Sequence, residues 1–577
     1  MYIAIVPNRN SPPAILLREG WRDGHKTGQR TLANLSHWPK EKIETFRRLL
    51  RDEPLVSPQD LFSTEQTLPH GHVQAILEMI GKLELDRLIS AQRCRERDLV
   101  VAMVAQRLIS PASKLATTQH WHTTTLAEEL GVAEATENDL YEAMDWLLER
   151  KERIEKKLAA RHLSEGGLVL YDVSSSFYEG RTCPLAQFGH DRDGKKGLPI
   201  IVYGVMTNGE GCPVAVSVYP GDTGDPTTVA DQIEKLRERF GLSRVVLVGD
   251  RGMLTQPQID KLKQHSGFGW ITALTSTAIR ELVKQGSLQL SLLDQKNLAE
   301  IASPDYPGER LMICHNPLLE QERKRKRQAL LEATEKSLEK ISKEVARRKK
   351  KPLQAVEIGM KVGKVLGRYK MGKHFECRIE DSHFAWSRRP ESIEQEEKLD
   401  GIYVLRTNEP VERLSAEDTV RSYKSLAEVE RAFRCLKGID LLVRPIRHRS
   451  EDRVPAHIFL CVLAYYVEWH LRRAWAPLLF EDEQRREERK RRDPILPAKP
   501  SDSVQLKKHS HQTVEGLPVH SFQGLLSDLA SRARVTYTLK SEKSEEKSPV
   551  NFRQVPEPTP VQARAYQLVR TFSVSGK

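Results

Sequence analysis

The sequence predicts an α/β protein whose strands are preceded by a helical region and interrupted by a long charged helix. Between residues 164 and 275, apolar runs separated by turns follow the order strand, strand, strand, helix, strand, and strand character returns at 402–406. Residues 318–351 are almost entirely charged or helix-forming, with apolar residues seven positions apart, which indicates one long helix. A chain of 577 residues is too long for a single core, so several domains are expected.

The first 163 residues divide into two predicted parts. Residues 1–50 predict a small β unit, because YIAIVP and AILLREGW are strand-like runs on either side of an Asn-Ser-Pro-Pro turn. Residues 51–163 place apolar side chains at helical spacing, and Gly131 breaks the pattern between short helices. Such a break is typical of a helix-turn-helix and also of an ordinary helical bundle, and the spacing alone favours the bundle.

The strand-rich region places an aspartate at the end of two strands. Asn208 and Gly209 suit a hairpin turn between the second and third strands. Asp225 precedes a proline and so starts a helix that reaches about Phe240. The end of a strand in an α/β sheet is where functional groups converge, and Asp172 and Asp250 occupy such positions. The predicted strands are Leu168–Val173, Leu198–Met206, Pro213–Tyr219, Arg244–Gly249 and Phe268–Leu274.

Composition restricts the class of protein. The formal net charge is +12 and the isoelectric point is near 9.2, which favours a polyanionic partner such as nucleic acid. The seven cysteines are odd in number and form no Cys-x-x-Cys pair, which argues against a disulfide framework or a cysteine zinc site and fits a reducing cytoplasm. The N-terminus lacks the pattern of a signal peptide. The apolar stretch Ile458–Val467 is too short to cross a bilayer, so we expect a buried helix and no membrane partner.

A third acid, Glu430, is a candidate to join the two strand-end aspartates. It lies on a helix predicted over about 415–437, in which Tyr423, Glu430 and Lys437 are seven residues apart and share one face. Three carboxylates can hold two Mg²⁺ ions about 3.5–4 Å apart, which would activate a water or a DNA 3′-hydroxyl and stabilise the leaving oxygen. Lys437 and Arg434 would then bind phosphate beside the ions. The alternative is structural, because strand-end acids often cap turns and Glu430 could pair with Arg434.

Four segments resemble the bacterial insertion-sequence transposases that carry a Tyr-Arg-Glu-Lys signature. They are YDVSSSFYEG, YGVMTNGEGCPVAVSVYPGDTGDPTT, VLVGDRGM and YKSLAEVERAFRCLKGIDLLVRPIRHRSEDRVPAHIFLCVLAYYV. The resemblance covers roughly 165–275 and 400–470. It is specific, because separated motifs occur in the family's order with the family's neighbours.

The resemblance implies a DDE-type transposase with an RNase H-like catalytic fold and a β-rich insertion between the second aspartate and the glutamate. Asp172, Asp250 and Glu430 match the family's acidic triad. This implies metal-dependent DNA cleavage and strand transfer with two Mg²⁺ ions, or Mn²⁺. Tyr423 and Lys437 match the first and last members of the signature.

One signature position departs from the family. Leu426 stands where the family has arginine, so the phosphate contact of that arginine has no counterpart, and this turn of helix is expected to pack differently. Arg434 is the nearest basic residue on the same helix that could supply the charge. Arg444 and Arg447 follow the signature helix and are candidates to contact the DNA backbone, and a solvated surface run is the alternative.

The resemblance also implies a domain order and partners. Residues 164–275 and 401–475 would form the two parts of the RNase H-like domain, and 276–400 the insertion domain. Outside the resemblance, composition predicts that 476–577 is a charged, proline-containing linker and C-terminal region, with a small unit at about 515–540 and a flexible tail. The helical region 51–163 would bind terminal inverted repeats, and cutting both ends of an element calls for a homodimer on double-stranded DNA. The rival function is a catalytically inactive, transposase-derived DNA-binding protein, which the three acids oppose and Leu426 keeps open. A basic scaffold protein would leave the acids unexplained.

Overall fold

The computed structural model describes residues 1–9, 11–53, 62–293, 296–539 and 551–574. The chain forms two units, one of Met1–Leu68 with Ala533–Glu557 and the other of Pro69–Arg532 with Pro558–Lys577. The strands are β1 (Tyr2–Val6), β2 (Ala14–Asp23), β3 (Lys26–Asn34), β4 (Phe62–Pro69), β5 (Leu168–Phe177), β6 (Ile200–Asn208), β7 (Pro213–Pro220), β8 (Val245–Val248), β9 (Phe268–Ala273), β10 (Leu298–Ile301), β11 (Arg310–His315), β12 (Phe375–Glu380), β13 (His383–Arg388), β14 (Ile402–Thr407), β15 (Ala533–Leu539) and β16 (Asn551–Gln554).

Helices connect and cover these strands. They are α1 (Lys40–Leu49), α2 (Gly71–Lys82), α3 (Leu85–Ile89), α4 (Arg95–Ile109), α5 (Lys114–His120), α6 (Leu126–Leu130), α7 (Glu137–Glu149), α8 (Lys151–His162), α9 (Val229–Glu234), α10 (Gln256–Lys263), α11 (Ser276–Lys284), α12 (Pro317–Arg347), α13 (Ala355–Tyr369), α14 (Pro390–Glu397), α15 (Ala416–Lys424), α16 (Leu426–Lys437), α17 (Arg453–Ala474), α18 (Arg485–Arg491), α19 (Asp502–Ser510), α20 (Phe522–Ala530) and α21 (Pro560–Thr571).

The smaller unit contains two three-stranded sheets. β1, β2 and β3 form an antiparallel sheet, with Tyr2 opposite Arg18 and Leu16 opposite Asn34. β4, β15 and β16 form the other sheet, with β15 in the middle. The two strands predicted at the N-terminus are present. The sequence does not predict β3, because KTGQRTLAN lacks alternating apolar residues.

An eight-stranded mixed sheet forms the centre of the larger unit, in the order β10-β11-β14-β9-β8-β5-β6-β7. β5, β6 and β7 are antiparallel neighbours, whereas β8 runs parallel to β5 and β9 runs parallel to β8. The four residues of β8 are all buried, as expected of a strand covered on both faces. The predicted α/β class is confirmed, and the strands predicted within 164–275 are present.

The most apolar helix, α17, lies in the core. It is long and apolar enough to cross a membrane by length and composition, but 89% of its most apolar window is buried inside the protein. It packs against β7 and against α4 and α7 of the helical region. Every residue of Ile458–Val467 is buried, which confirms the buried helix predicted there.

The segment 276–400 contributes to the main sheet and also forms a small core of its own. β10 and β11 extend the main sheet beyond β14. α12, α13 and the β12–β13 hairpin bury Leu331, Leu338 and Val345 between them. These are the apolar residues spaced by seven, so the long helix is confirmed.

Two predictions that concern helices are wrong. The helix predicted over 415–437 is two helices, because Ser425 separates α15 from α16. The tail predicted to be flexible contains α21, whose buried side chains include Ala565 and Tyr566. This helix packs against α2, so the end of the chain completes the core of the larger unit.

Candidate active site

Asp172 lies in β5, and Asp250 lies just after β8, the neighbouring strand in the middle of the main sheet. β5 and β8 are parallel, with Leu170 opposite Val248, and each aspartate follows that pair by two residues. Side chains alternate in step along neighbouring parallel strands, so residues at equal offsets project from the same side of the sheet. The pairing therefore aligns the two acids. Asp250 follows the end of β8, but the prediction that Asp172 ends its strand is wrong, because β5 continues to Phe177.

Helix α16 brings Glu430 close to the two aspartates. It packs across β5 and β6, and Val429, Phe433 and Leu436 are buried on its inner face. Glu430 is exposed, and its negative charge, like that of Asp250, raises the pKa of Asp172. Three acids that are far apart in the sequence thus share one electrostatic neighbourhood.

Glu428, two residues before Glu430, has a different environment. Its side chain is 13% exposed and pairs with Arg485 from α18. This ion pair accounts for Glu428, whereas the charge of Glu430 is among the causes that raise the pKa of Asp172.

The pKa of Asp172 is raised in this environment. Burial is the largest cause, and together with the charges of Asp250 and Glu430 it raises the pKa of Asp172 to about 7. Two interactions act in the opposite direction: the amide of Val173 donates to its Oδ1 at 2.8 Å, and the positive charge of Arg192 lies nearby. The cluster is therefore a set of acids whose repulsion is incompletely compensated.

The donor set fits a divalent cation. Carboxylate oxygens are the ligands that Mg²⁺ and Mn²⁺ prefer, and a cation beside them would favour the ionised acids. Asp250 and Glu430 are exposed, although one oxygen of Asp250 accepts the amide of Met253 at 2.8 Å. The carboxylate oxygens of the three acids are farther apart than the ligand atoms in two other clusters of the described chain. In those clusters, His162/Cys212/His470 and Cys435/Asp440/Glu468, the ligand atoms all lie within 4.8 Å of one another.

Tyr423, at the end of α15, borders the acids. It is half-buried, and burial together with the charges of Asp250, Glu430 and Asp172 raises its pKa to about 12. The break at Ser425 therefore does not separate Tyr423 from the acidic cluster. Its phenol stays protonated at neutral pH and can donate a hydrogen bond.

Lys437 turns its ammonium group into the protein. It donates to Asp193 Oδ1 at 2.9 Å and to the carbonyl oxygen of Ser175 in β5, three residues after Asp172. The side chain of Asp193 is only 2% exposed and also pairs with Arg444 at 2.5 Å. Sequence reasoning misses Asp193, and the charged run HDRDG is the only signal there.

The break between α15 and α16 lies next to Leu426, which stands at the arginine position of the signature, and it is stabilised by a residue of α18. Leu426 packs against the main core, as expected of an apolar residue in that place. Arg489 of α18 donates to the carbonyl oxygen of Arg421 at 2.6 Å and to the hydroxyl of Ser425. Arg434 is exposed, and within the described chain its side chain makes no hydrogen bond or ion pair.

The two arginines predicted to follow the signature helix have acidic partners. Arg447 is largely exposed and pairs with Glu179 at 2.8 Å. Arg444 pairs with Asp193 and also donates to the carbonyl oxygen of Lys437 at 3.1 Å. Arg444 is therefore tied to the same buried carboxylate as Lys437, whereas Arg447 lies at the surface.

Comparisons with known proteins bear on the family. Residues 181–467 match a family model described as a transposase DDE domain. Residues 3–57 match a model described as the N-terminal domain of IS1634 family transposases. A search of curated proteins finds no match. A cryo-EM structure of the piggyBac transposase synaptic complex with hairpin DNA matches 76% of this chain and 88% of its own, at 11% identity and a TM-score of 0.25, which is too low to establish a common fold.

The two family matches together cover more than half of the chain. The longer one begins shortly after Asp172 and includes Asp250, Glu430 and the signature helix. Transposase DDE domains are metal-dependent, generally with Mg²⁺ or Mn²⁺, which agrees with the chemistry of the donor set. The chain belongs to the DDE-type insertion-sequence transposases, enzymes that cut and join DNA.

Proposed function

We propose that Asp172, Asp250 and Glu430 are the active site at which this transposase cleaves the terminal inverted repeats of an insertion sequence and joins them to target DNA. The observation that carries the proposal is the effect of Asp250 and Glu430 on Asp172, since both of their charges raise the pKa of Asp172. The three carboxylates would hold two divalent ions, Mg²⁺ or Mn²⁺. When bound, the ions lower the pKa of a water or a DNA 3′-hydroxyl and stabilise charge on the leaving oxygen.

The surrounding residues would orient the DNA strand at these acids. Asp193 and the carbonyl oxygen of Ser175 hold the ammonium of Lys437 beside β5, where its charge attracts a phosphodiester. The protonated phenol of Tyr423 would donate a hydrogen bond to a phosphate oxygen. Arg434, which is exposed and without a partner in the described chain, would contact the DNA backbone from the outer face of α16.

The strand arrangement supports an RNase H-like core for this site. Three antiparallel strands, β5 to β7, are followed by β8 and β9, which extend the sheet in parallel from β5. Asp172 lies in the first of these strands, Asp250 follows the fourth by two residues, and α16 carries the glutamate. In this proposal residues 164–275 and 401–475 are the two parts of the domain, and 276–400 is the insertion.

The remaining regions would serve the assembly on DNA. The helical region within 51–163 would bind the inverted repeats, and 1–50 and 476–577 would be accessory regions. Each end of an element needs its own active site, so the working form would be a homodimer on double-stranded DNA in the cytoplasm. Tyr423, Glu430 and Lys437 support membership of the Tyr-Arg-Glu-Lys subgroup, and Leu426 is the departure from its signature.

The test is DNA cleavage by variants that keep the shape of each acid but remove its charge. Asp172→Asn, Asp250→Asn and Glu430→Gln should each abolish cleavage of duplexes copied from the DNA that flanks the gene. DNA affinity should stay within a few-fold, because none of the three acids attracts phosphate. Glu428→Gln is the matched control, since Glu428 lies on the same helix and pairs with Arg485. Full cleavage by any one acid variant would remove that residue from the active site.

A further inference from the structure

A cavity of about 600 Å³ lies beside the loop that follows α16. Helices α4, α5 and α7 line one side of it, and residues 442–457 line the other. Its volume is typical of small-ligand sites. Its charged lining residues are Arg107, Lys114, Arg444, Arg447, Arg449 and Arg453, against one acid, Glu137.

Three of these arginines are neutralised by carboxylates. The pairs are Arg444 with Asp193 at 2.5 Å, Arg447 with Glu179 at 2.8 Å, and Arg453 with Asp145 at 3.2 Å. Of the other cationic lining residues, Arg449 is exposed to solvent. The unusual ones are Arg107 and Lys114.

Arg107 and Lys114 are buried, at 7% and 4% exposure, and neither has an ion pair within the described residues. Arg107 donates only to the carbonyl oxygen of Leu441, at 3.4 Å, and the described part of the chain offers Lys114 no hydrogen-bond acceptor. Burial and the charge of Arg107 lower the pKa of Lys114 to about 7. Burial and these same two charges lower the pKa of His448 to about 3.

Two neighbouring buried cations without an acid are an unfavourable arrangement unless something else neutralises them. A guanidinium and an ammonium side by side offer several N–H donors to one tetrahedral oxyanion. Ser113 and Ser450 add hydroxyl groups to the cavity lining. The cavity also shares Arg444 with the ion-pair network of Lys437. Lys437 ends the helix that carries Glu430, so the cavity and the acidic cluster are connected through α16 and the loop after it.

We propose that this cavity binds a phosphate group through Arg107 and Lys114, and that the phosphate belongs either to a strand of the DNA substrate or to free phosphate. Binding of a DNA phosphate rests on the proposed function, whereas binding of free phosphate does not. A DNA phosphate held here would fix the strand at a point distinct from the acidic cluster. It would also tie the helical region to the catalytic part of the chain.

The test compares Lys114→Met with Lys340→Met in the full-length protein. Met fills the space of Lys114 and removes an unpaired buried charge, so this variant should fold at least as well as the wild type. Lys340 is exposed on α12, so its variant makes the same change of net charge outside the cavity. In the first arm, inorganic phosphate at constant ionic strength should raise the Tm of the wild type and of Lys340→Met but not that of Lys114→Met.

The second arm measures the affinity for a labelled DNA duplex in EDTA, where no cleavage occurs. A DNA source predicts that Lys114→Met binds about tenfold more weakly than Lys340→Met, the usual effect of losing one charged hydrogen bond. A response to phosphate with unchanged DNA affinity would assign the site to free phosphate. Equal behaviour of the two variants in both arms would overturn the proposal. Asp172→Asn should respond to phosphate like the wild type, so failure of the active-site proposal would be seen separately.

Discussion

The acidic cluster of Asp172, Asp250 and Glu430 and the basic cavity around Lys114 both gather like charges, but at different depths. Two of the three acids are exposed, so water screens most of their repulsion. Arg107 and Lys114 are both buried, where like charges cost much more than at a surface. The basic cavity should therefore destabilise the unliganded fold more than the acidic cluster does.

One stretch of chain joins the two regions. Helix α16 carries Glu430 in the acidic cluster and ends at Lys437, and the following loop carries Arg444 and Arg447 into the cavity wall. Asp193 binds Lys437 and Arg444 together. In both places, charge that is not neutralised points to a ligand, and the depth of burial determines how strongly that ligand would stabilise the protein.

The largest expected effect is on the pH dependence of stability. The pKa of Lys114 is about 7 in the folded protein, against an ordinary value of 10.5 for a lysine in water. Between these values the unfolded chain binds one more proton, so the free energy of unfolding rises with pH. At about pH 6 the wild type should be less stable than Lys114→Met by on the order of 4 kcal/mol, and the gap should narrow toward pH 10.

Chemical denaturation at several pH values measures this gap. The groups facing Lys114 are Arg107 from α4, His448 from the loop, and His457 and Cys461 from α17, with Glu137 across the cavity. Burial lowers the pKa of both histidines far below 6 and raises that of Cys461, so these groups keep one charge state over most of the window. If the difference in unfolding free energy between the wild type and Lys114→Met does not change with pH, Lys114 does not carry the buried charge.

The second effect concerns metal at the acidic cluster. Mg²⁺ should raise the Tm of the wild type, because a ligand that binds only the folded state stabilises it, by about 1–3 kcal/mol at concentrations well above its Kd. EDTA should reverse the gain. Asp172→Asn should lose most of it, whereas Glu428→Gln should keep it. An equal Mg²⁺ response in Asp172→Asn and the wild type would place the ions elsewhere.

The sequence predicts the features that depend on local patterns. The apolar runs at the start of β5 and along β8, each followed by an aspartate, are visible because buried central strands are rich in apolar residues. The second half of β5 is not predicted, because Ser174, Ser175 and Ser176 are polar. The seven-residue spacing predicts α12 for a similar reason. The break at Ser425 carries no such signal, since neither proline nor glycine is present and Arg489 holds the break from a distant segment.

The candidate site is likewise predictable only in part. The three acids follow from strand ends, helical spacing and the family resemblance. The partner of Lys437 does not, because Asp193 reaches it through tertiary contacts. The basic cavity is hidden for the same reason, since Lys114 and His448 meet only when the helical region packs against the loop after α16.

The smallest expected effect separates the two basic residues at the end of α16. Lys437→Ala should lower strand transfer about tenfold, because it removes a charge beside the acids and leaves Arg444 as the one described cation that pairs with Asp193. Arg434→Ala should lower it only a few-fold, because an exposed arginine contacts phosphate in high dielectric. Both variants should affect strand transfer more than DNA binding. Joining of pre-nicked ends, measured beside affinity for the same duplex, separates the two steps.

The comparison tests whether Arg434 supplies the charge that Leu426 lacks. Lys340→Ala is the control, since it removes one exposed positive charge from α12, away from α16. If Arg434→Ala behaves like Lys340→Ala at every step, Arg434 does not compensate, and Leu426 is a tolerated variant of the signature. If Arg434→Ala lowers joining while Lys340→Ala does not, the outer face of α16 contacts the strand. The acidic cluster would then be approached by phosphate from the Lys437 side and from the Arg434 side of the same helix.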